Sequence, residues 1–173
     1  MTLSMLRALK ASAILSASVA VLALASAAVA ASPLDGPVLT LTPAPAKAAL
    51  GQGTFALTAK TRIFVGKGDV EARVVAGQLA DMLFKARGLK PAVVEGAPPA
   101  GEAAIVLARG QAASDKAEAY ALGVAPTGVT ITAAKRAGLF YGAVSVWQLA
   151  VRDAAKGPAQ LPAVSIDDAP RFA

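Results

Sequence analysis

The stretch from Glu118 to Leu149 constrains the fold more tightly than any other part of the chain. Tyr120, Leu122 and Val124 alternate with small residues, Pro126-Thr127-Gly128 supplies turn chemistry, and Val129 to Thr132 runs back, so the segment reads as an antiparallel hairpin. A helix from about Ala137 to Arg152 follows directly. Phe140, Val144, Trp147 and Val151 share one face of it, and Leu139, Ala143, Val146 and Ala150 lie beside them, an apolar arc too wide for a surface helix. Burying a large side chain contributes roughly 1.5 to 3 kcal/mol, so Phe140 and Trp147 are expected to weigh heavily in whether the domain folds. Gly142 costs about 1 kcal/mol relative to alanine in a helix interior, which predicts close approach by a neighbouring element.

A second helix is predicted upstream. Asp69 can cap it, Val75, Leu79, Met82, Leu83 and Ala86 fall on one face, and Gly88 can close it in the left-handed conformation. Short apolar runs at Ala92 to Val94, Ile105 to Leu107 and Ala163 to Ile166 read as strands. So do two alternating runs between Thr54 and Val65, which meet around Lys60. Ser114 to Ala119 is polar and reads as a loop or a single helical turn. Residues 31–53 are rich in proline and alanine and read as a linker in which only Val38 to Leu41 forms a short strand.

The first thirty residues place Arg7 and Lys10 before an uncharged Ala/Leu/Val run that ends in Ala28-Val29-Ala30, the order of a cleavable secretory signal. Export to the periplasm or medium is therefore expected, the alternative being an uncleaved membrane anchor. The chain has no cysteine, so neither a disulfide nor a thiolate metal site is available, and an exported form must hold together by packing. Without the first thirty residues, fifteen Lys and Arg face eleven Asp and Glu, a net charge of +4. Lys60, Arg62, Lys67, Arg73, Lys85, Arg87, Lys90, Lys135, Arg136, Arg152 and Lys156 are scattered among acids and apolar residues. That pattern suits a solvated surface better than a nucleic-acid stripe.

Several segments carry a more specific pattern: Glu118-x-Tyr120-x-Leu122, Gly128-Val129-Thr130-Ile131, Gly138-Leu139-Phe140-Tyr141-Gly142, Trp147-Gln148-Leu149, and Ile166-Asp167-Asp168-Ala169-Pro170-Arg171-Phe172. In this order, over roughly 55 residues, they resemble the small non-catalytic domain that precedes the barrel of glycoside hydrolase family 20, the β-N-acetylhexosaminidases. The resemblance implies an α+β fold, a mainly antiparallel sheet with two helices packed on one face. It divides the chain into a signal peptide (1–30), a linker (31–53), the domain proper (54–166), and a segment (167–173) leading toward a (β/α)8 barrel whose first strand lies beyond Ala173.

Family members remove terminal N-acetylhexosamine with retention, the substrate's acetamide oxygen being the nucleophile. The barrel's adjacent Asp-Glu pair assists, and no Asp-Glu dipeptide occurs in this chain. The resemblance therefore implies no catalytic, cofactor-binding or metal-binding residue here. The expected partner is a barrel of the same enzyme, with glycan reached only through it and no nucleic acid. The alternative reading is a stand-alone periplasmic module binding carbohydrate or protein.

Other candidates read as structural. Asp167 and Asp168 point to opposite faces of a strand and cannot readily flank one bond. Gly51-Gln52-Gly53 and Gly66-Lys67-Gly68 lack phosphate-loop spacing and read as turns. The absence of histidine removes the common nucleophile-base systems. Trp147 and Phe140 have the helical spacing of core residues, Tyr120 and Tyr141 keep hydroxyls for a barrel or solvent, and Arg171 and Phe172 suit a domain contact.

Overall fold

In the computed structural model, residues 39–112 and 114–169 are described; residues 1–38, on which the expected signal peptide falls, residue 113 and residues 170–173 lie outside them. Strands β1 (Lys47–Leu57) and β2 (Arg62–Val65) precede helix α1 (Val70–Arg87). Strands β3 (Ala92–Glu95), β4 (Ala104–Arg109), β5 (Tyr120–Ala125) and β6 (Gly128–Ala133) follow, then helix α2 (Arg136–Ala150) and strand β7 (Ala159–Asp168). The strands form one sheet in the order β1-β7-β5-β6-β4-β2-β3. Its longer half, β1-β7-β5-β6, is antiparallel, and β6-β4-β2-β3 is parallel. The architecture is α+β, with both helices on one face.

The hairpin forms as the sequence predicts, pairing Val124 with Val129 and Leu122 with Ile131. Two parallel crossovers then place the helices. Helix α1 links β2 to its neighbour β3, and α2 links β6 to β7 across β5. Since β2 and β6 are parallel through β4, the helices run side by side in the same direction. Between helices and sheet lies the core: Phe55, Leu57, Ile63, Val65, Leu79, Leu83, Ile105, Leu107, Leu122, Ile131, Leu139 and Leu149 are all buried.

Helix α1 starts and stops where its caps dictate. The Ala72 amide donates to Asp69 Oδ1 at 2.9 Å, and Gly88, at φ 78°, closes the far end by donating to the Phe84 carbonyl. Val75, Leu79 and Leu83 are buried as expected, whereas Met82 and Ala86 are only half-buried.

Helix α2 turns a different side inward. Gly138, Leu139, Gly142, Ala143, Val146 and Leu149 are buried, while Phe140, Val144, Trp147 and Val151 are half-buried. The glycines explain the rotation. A Cβ on Gly142 would lie 2.4 Å from Ile131 Cγ2, and one on Gly138 would lie 2.2 Å from the Ala119 carbonyl oxygen. The smallest side of the helix therefore faces the sheet, and its two largest aromatics move to the flank.

The N-terminal reading needs correction. Residues 39–41 are in no strand, and β1 begins at Lys47, inside the stretch read as linker. Leu41 is buried in the core, and proline at 43 and 45 removes two amides that a ladder would use. Gln148 supplies a substitute: its side-chain oxygen accepts from the Thr42 amide and its NH2 donates to the Thr42 carbonyl, each at 2.8 Å. Gly51-Gln52-Gly53 is a bulge within β1 rather than a turn, because the register against β7 shifts between Leu50 and Thr54. Nor do β1 and β2 pair. A Thr58–Thr61 turn joins them, but they lie in opposite halves of the sheet. Strand β7 starts four residues earlier than expected. Pro162 is tolerated because that stretch pairs with β1 alone.

Candidate functional site

Building outward from the candidates, the structure puts those among the described residues into scaffold roles, while Arg171 and Phe172 lie outside them. Asp168 ends β7 and accepts from the Ala46 amide at 2.9 Å, which ties the start of β1 to the end of β7. Beside it, the buried Tyr120 hydroxyl shares a 2.7 Å hydrogen bond with Ser145, whose hydroxyl donates to the Tyr141 carbonyl. Burial pushes the Tyr120 phenol up, and the nearby Asp168 carboxylate adds to that shift. Asp167 pairs across the sheet with Lys47 and Ala121, so the two carboxylates do not converge.

Gly66-Lys67-Gly68 is the turn into α1, with the Asp69 amide donating to the Gly66 carbonyl at 3.1 Å. The end of β4 meets this turn. Arg109 Nε donates to Asp69 Oδ2 at 2.7 Å, and its Nη2 donates to Asp69 Oδ1 at 3.0 Å and Glu71 Oε2 at 2.8 Å. The guanidinium holds the Asp69 carboxyl below its ordinary range, aided by the Ala72 amide, and Asp69 in turn raises Arg109. A crevice at the ends of parallel strands beside a helix N-terminus is a common place for an anion. Here the protein's own ion pairs fill it.

Arg87 corrects the sequence reading most sharply. Read as part of a solvated basic surface, its side chain is 1% exposed. Its guanidinium donates to the carbonyls of Gly157 (2.8 Å), Ala150 (2.9 Å) and Pro158 (2.8 Å) and to the Asp153 carboxylate. It holds the loop after α2 against the end of α1. Lys156 reinforces the junction by donating to the Lys85 and Ala86 carbonyls. A basic residue in a last helical turn is common, and nothing local in the sequence distinguishes this one from Lys85.

Two hollows remain. On the sheet face away from the helices, a shallow one of about 530 Å³ is lined mainly by small residues, including Gly51, Gly123, Thr130 and Ser165. It offers no aromatic platform of the kind a stand-alone carbohydrate binder would need. Beside α2, a second hollow of about 420 Å³ is lined by Thr40, Trp147, Gln148, Val151 and Arg152. Trp147 packs partly against the core there, and Gln148 is engaged with Thr42. Among the described residues, no group of acidic side chains is arranged to hold a metal, and no helix is long and apolar enough to cross a membrane.

A mixed seven-stranded sheet with two same-direction helices on one side defines a compact α+β domain. The description "Glycosyl hydrolase family 20, domain 2" matches residues 38–169, and the chain belongs to that family. Among solved structures, a mutant Streptomyces plicatus β-hexosaminidase in complex with the product GlcNAc is 37% identical with a TM-score of 0.64. The match covers 76% of this chain and 26% of that one. The GH20 β-N-acetylhexosaminidase from Streptomyces coelicolor A3(2) gives 37% identity, a TM-score of 0.63 and the same coverages. The GH20 exo β-N-acetylglucosaminidase from Vibrio harveyi, at 20% identity and a TM-score of 0.60, shares the fold over 75% of this chain and 19% of its own. This chain thus spans about a quarter of the length of the Streptomyces enzymes it matches. No curated protein sequence matches it.

Proposed function

We propose that this chain is the N-terminal, non-catalytic domain of an exported β-N-acetylhexosaminidase, and that it supports the part of the enzyme that removes terminal N-acetylhexosamine. The observation that carries the reading is the lopsided coverage: three-quarters of this chain corresponds to one-quarter of a β-hexosaminidase. The side chains agree with it. Asp69, Glu71, Glu95, Glu102 and Asp153 are each engaged by an arginine, and Asp168 holds a backbone amide, so these carboxylates serve the fold. Export rests on the basic, apolar and Ala-x-Ala order of residues 1–30.

The test is release of p-nitrophenol from its N-acetyl-β-glucosaminide by residues 31–173, beside a form extended through any downstream coding sequence. Turnover by the extended form alone is the expected result. Turnover by the short form overturns the reading.

A further inference from the structure

We propose that residues 39–57 form an N-terminal clasp, a unit that opens apart from the rest of the domain and closes last, on elements made after all the others. The clasp itself is independent of the function proposed above, and only its consequence for export rests on that reading.

The sheet order supplies the first argument. Strand β1 stands at one end of the sheet and pairs with β7 alone, so it has no place to occupy until β7 is laid down. Its partners lie more than a hundred residues away in sequence. The pairs β2–β3, β2–β4, β4–β6 and β5–β6 close far shorter loops, and β7 can join β5 before β1 arrives. Shorter loops lose less entropy on closing, so those pairings come first. Removing β1 leaves one continuous sheet, β7-β5-β6-β4-β2-β3, with both helices still upon it.

The second argument is how the segment is fastened. Gln148 grips both backbone groups of Thr42, Asp168 accepts from the Ala46 amide at 2.9 Å, and the Thr54 hydroxyl donates to Gln160 Oε1 at 2.9 Å. Each of these bonds ends on α2 or β7, the last two described elements of the chain. Each is also exposed, where water competes for the same groups. The bulge at Gly51-Gln52-Gly53 divides the β1–β7 ladder into two runs of four pairs, Lys47 to Leu50 and Thr54 to Leu57. Against this stand three buried anchors, Leu41, Phe55 and Leu57, which hold the clasp shut in the finished domain. Opening of the clasp is therefore rarer than fraying of a loose end and commoner than global unfolding.

A domain whose first segment waits for its last strand does not close on a partly made chain. That delay suits a chain that crosses a membrane before it folds, as the basic and apolar order of residues 1–30 leads one to expect.

The test is native-state hydrogen exchange on the full 173-residue chain in low urea, read peptide by peptide. The slowest amides of residues 47–57 are expected to exchange about tenfold or more faster than those of residues 120–133, with a weaker dependence on urea because the opening exposes less surface. Gln148→Ala is expected to speed exchange at 47–57 about fivefold and to leave 120–133 no faster. Pulse labelling during refolding should show protection at 104–109 and 120–133 before protection at 47–57. One shared exchange rate for 47–57 and 120–133, a Gln148→Ala effect of equal size on both, or early protection of 47–57 overturns the proposal. Where refolding is irreversible, the native-state ratio and the Gln148→Ala comparison decide it alone. Release of p-nitrophenol is read separately, so failure of the clasp leaves the proposed function standing.

Discussion

Replacing Arg87 with methionine tests whether a single buried cation holds the two helix ends together. Methionine preserves much of the volume and removes every donor, leaving the carbonyls of Ala150, Gly157 and Pro158 without the partner that now reaches them at 2.8 to 2.9 Å. A buried acceptor left unpaired costs about 1 to 3 kcal/mol; the bond to Ala150 is fully buried and those to Gly157 and Pro158 are partly so. The three share one guanidinium and some relaxation is available, so a total of about 3 to 5 kcal/mol is reasonable. The opposing effect is desolvation, since replacing a buried ion pair by apolar groups is often neutral or stabilising when both charges leave. Here that exchange is not available. Asp153 is 64% exposed and already solvated, whereas the carbonyls belong to the backbone and stay. The penalty should therefore dominate.

Against a total stability of about 5 to 15 kcal/mol, the loss is a large fraction. With a urea m-value of about 2 kcal/mol/M, the unfolding midpoint should fall by roughly 1.5 to 2.5 M. Fluorescence of Trp147, the sole tryptophan, reports the transition. Asp153→Asn serves as the control and should barely move the midpoint, because its carboxylate contacts one donor and faces water. An Arg87→Met protein as stable as the parent, or an Asp153→Asn protein equally damaged, would falsify the carbonyl-clamp account and make the ion pair the important element.

The glycines of α2 make a second test. Gly142→Ala gains about 1 kcal/mol of helix propensity but drives a methyl into Ile131, whose β-branched side chain has little freedom to yield, so a net loss of about 1 to 2 kcal/mol is expected. Gly138→Ala meets a backbone oxygen and should be worse, and chemical denaturation that ranks it as the milder change removes the close-approach explanation. Stability against pH should fall at both extremes for assignable reasons. Asp69 has a lowered folded pKa, so its contribution is complete above the unfolded carboxylate pKa near 4 and is lost as pH falls through the folded value. Arg109→Gln should shrink that acid limb, and an unchanged limb assigns it to other carboxyls. Tyr120 has a raised folded pKa, so its contribution is complete below the unfolded phenol pKa near 10 and is lost as pH rises toward the folded value. Tyr120→Phe should flatten the alkaline limb in the same titration.

How much of this was legible in the sequence depends on the range over which each feature is decided. The hairpin at Pro126-Thr127-Gly128 and the limits of α1 at Asp69 and Gly88 rest on neighbours a few residues apart, and they stand where local chemistry puts them. Strand β1 reads short in the sequence because glycines 51 and 53 look like breakers. They form a bulge only because β7, more than a hundred residues later, pairs on both sides of them. Arg87 is a stronger case. Its burial depends on three carbonyls supplied 63 to 71 residues away, so periodicity ranked it with the solvated cations. The family signature was legible for the converse reason, being spread over local segments whose order survives without the fold.

Helix α2 shows why a wide apolar arc needs two explanations. The expectation that such a helix is largely buried places Phe140, Val144, Trp147 and Val151 in the core, but Gly138 and Gly142 bring another side to the sheet. A helix can press only one side against a flat sheet. The remaining apolar arc must be shielded by α1, by the 39–42 segment that Gln148 holds, or by something outside this domain. The first two leave Tyr141 exposed and Phe140 half-covered.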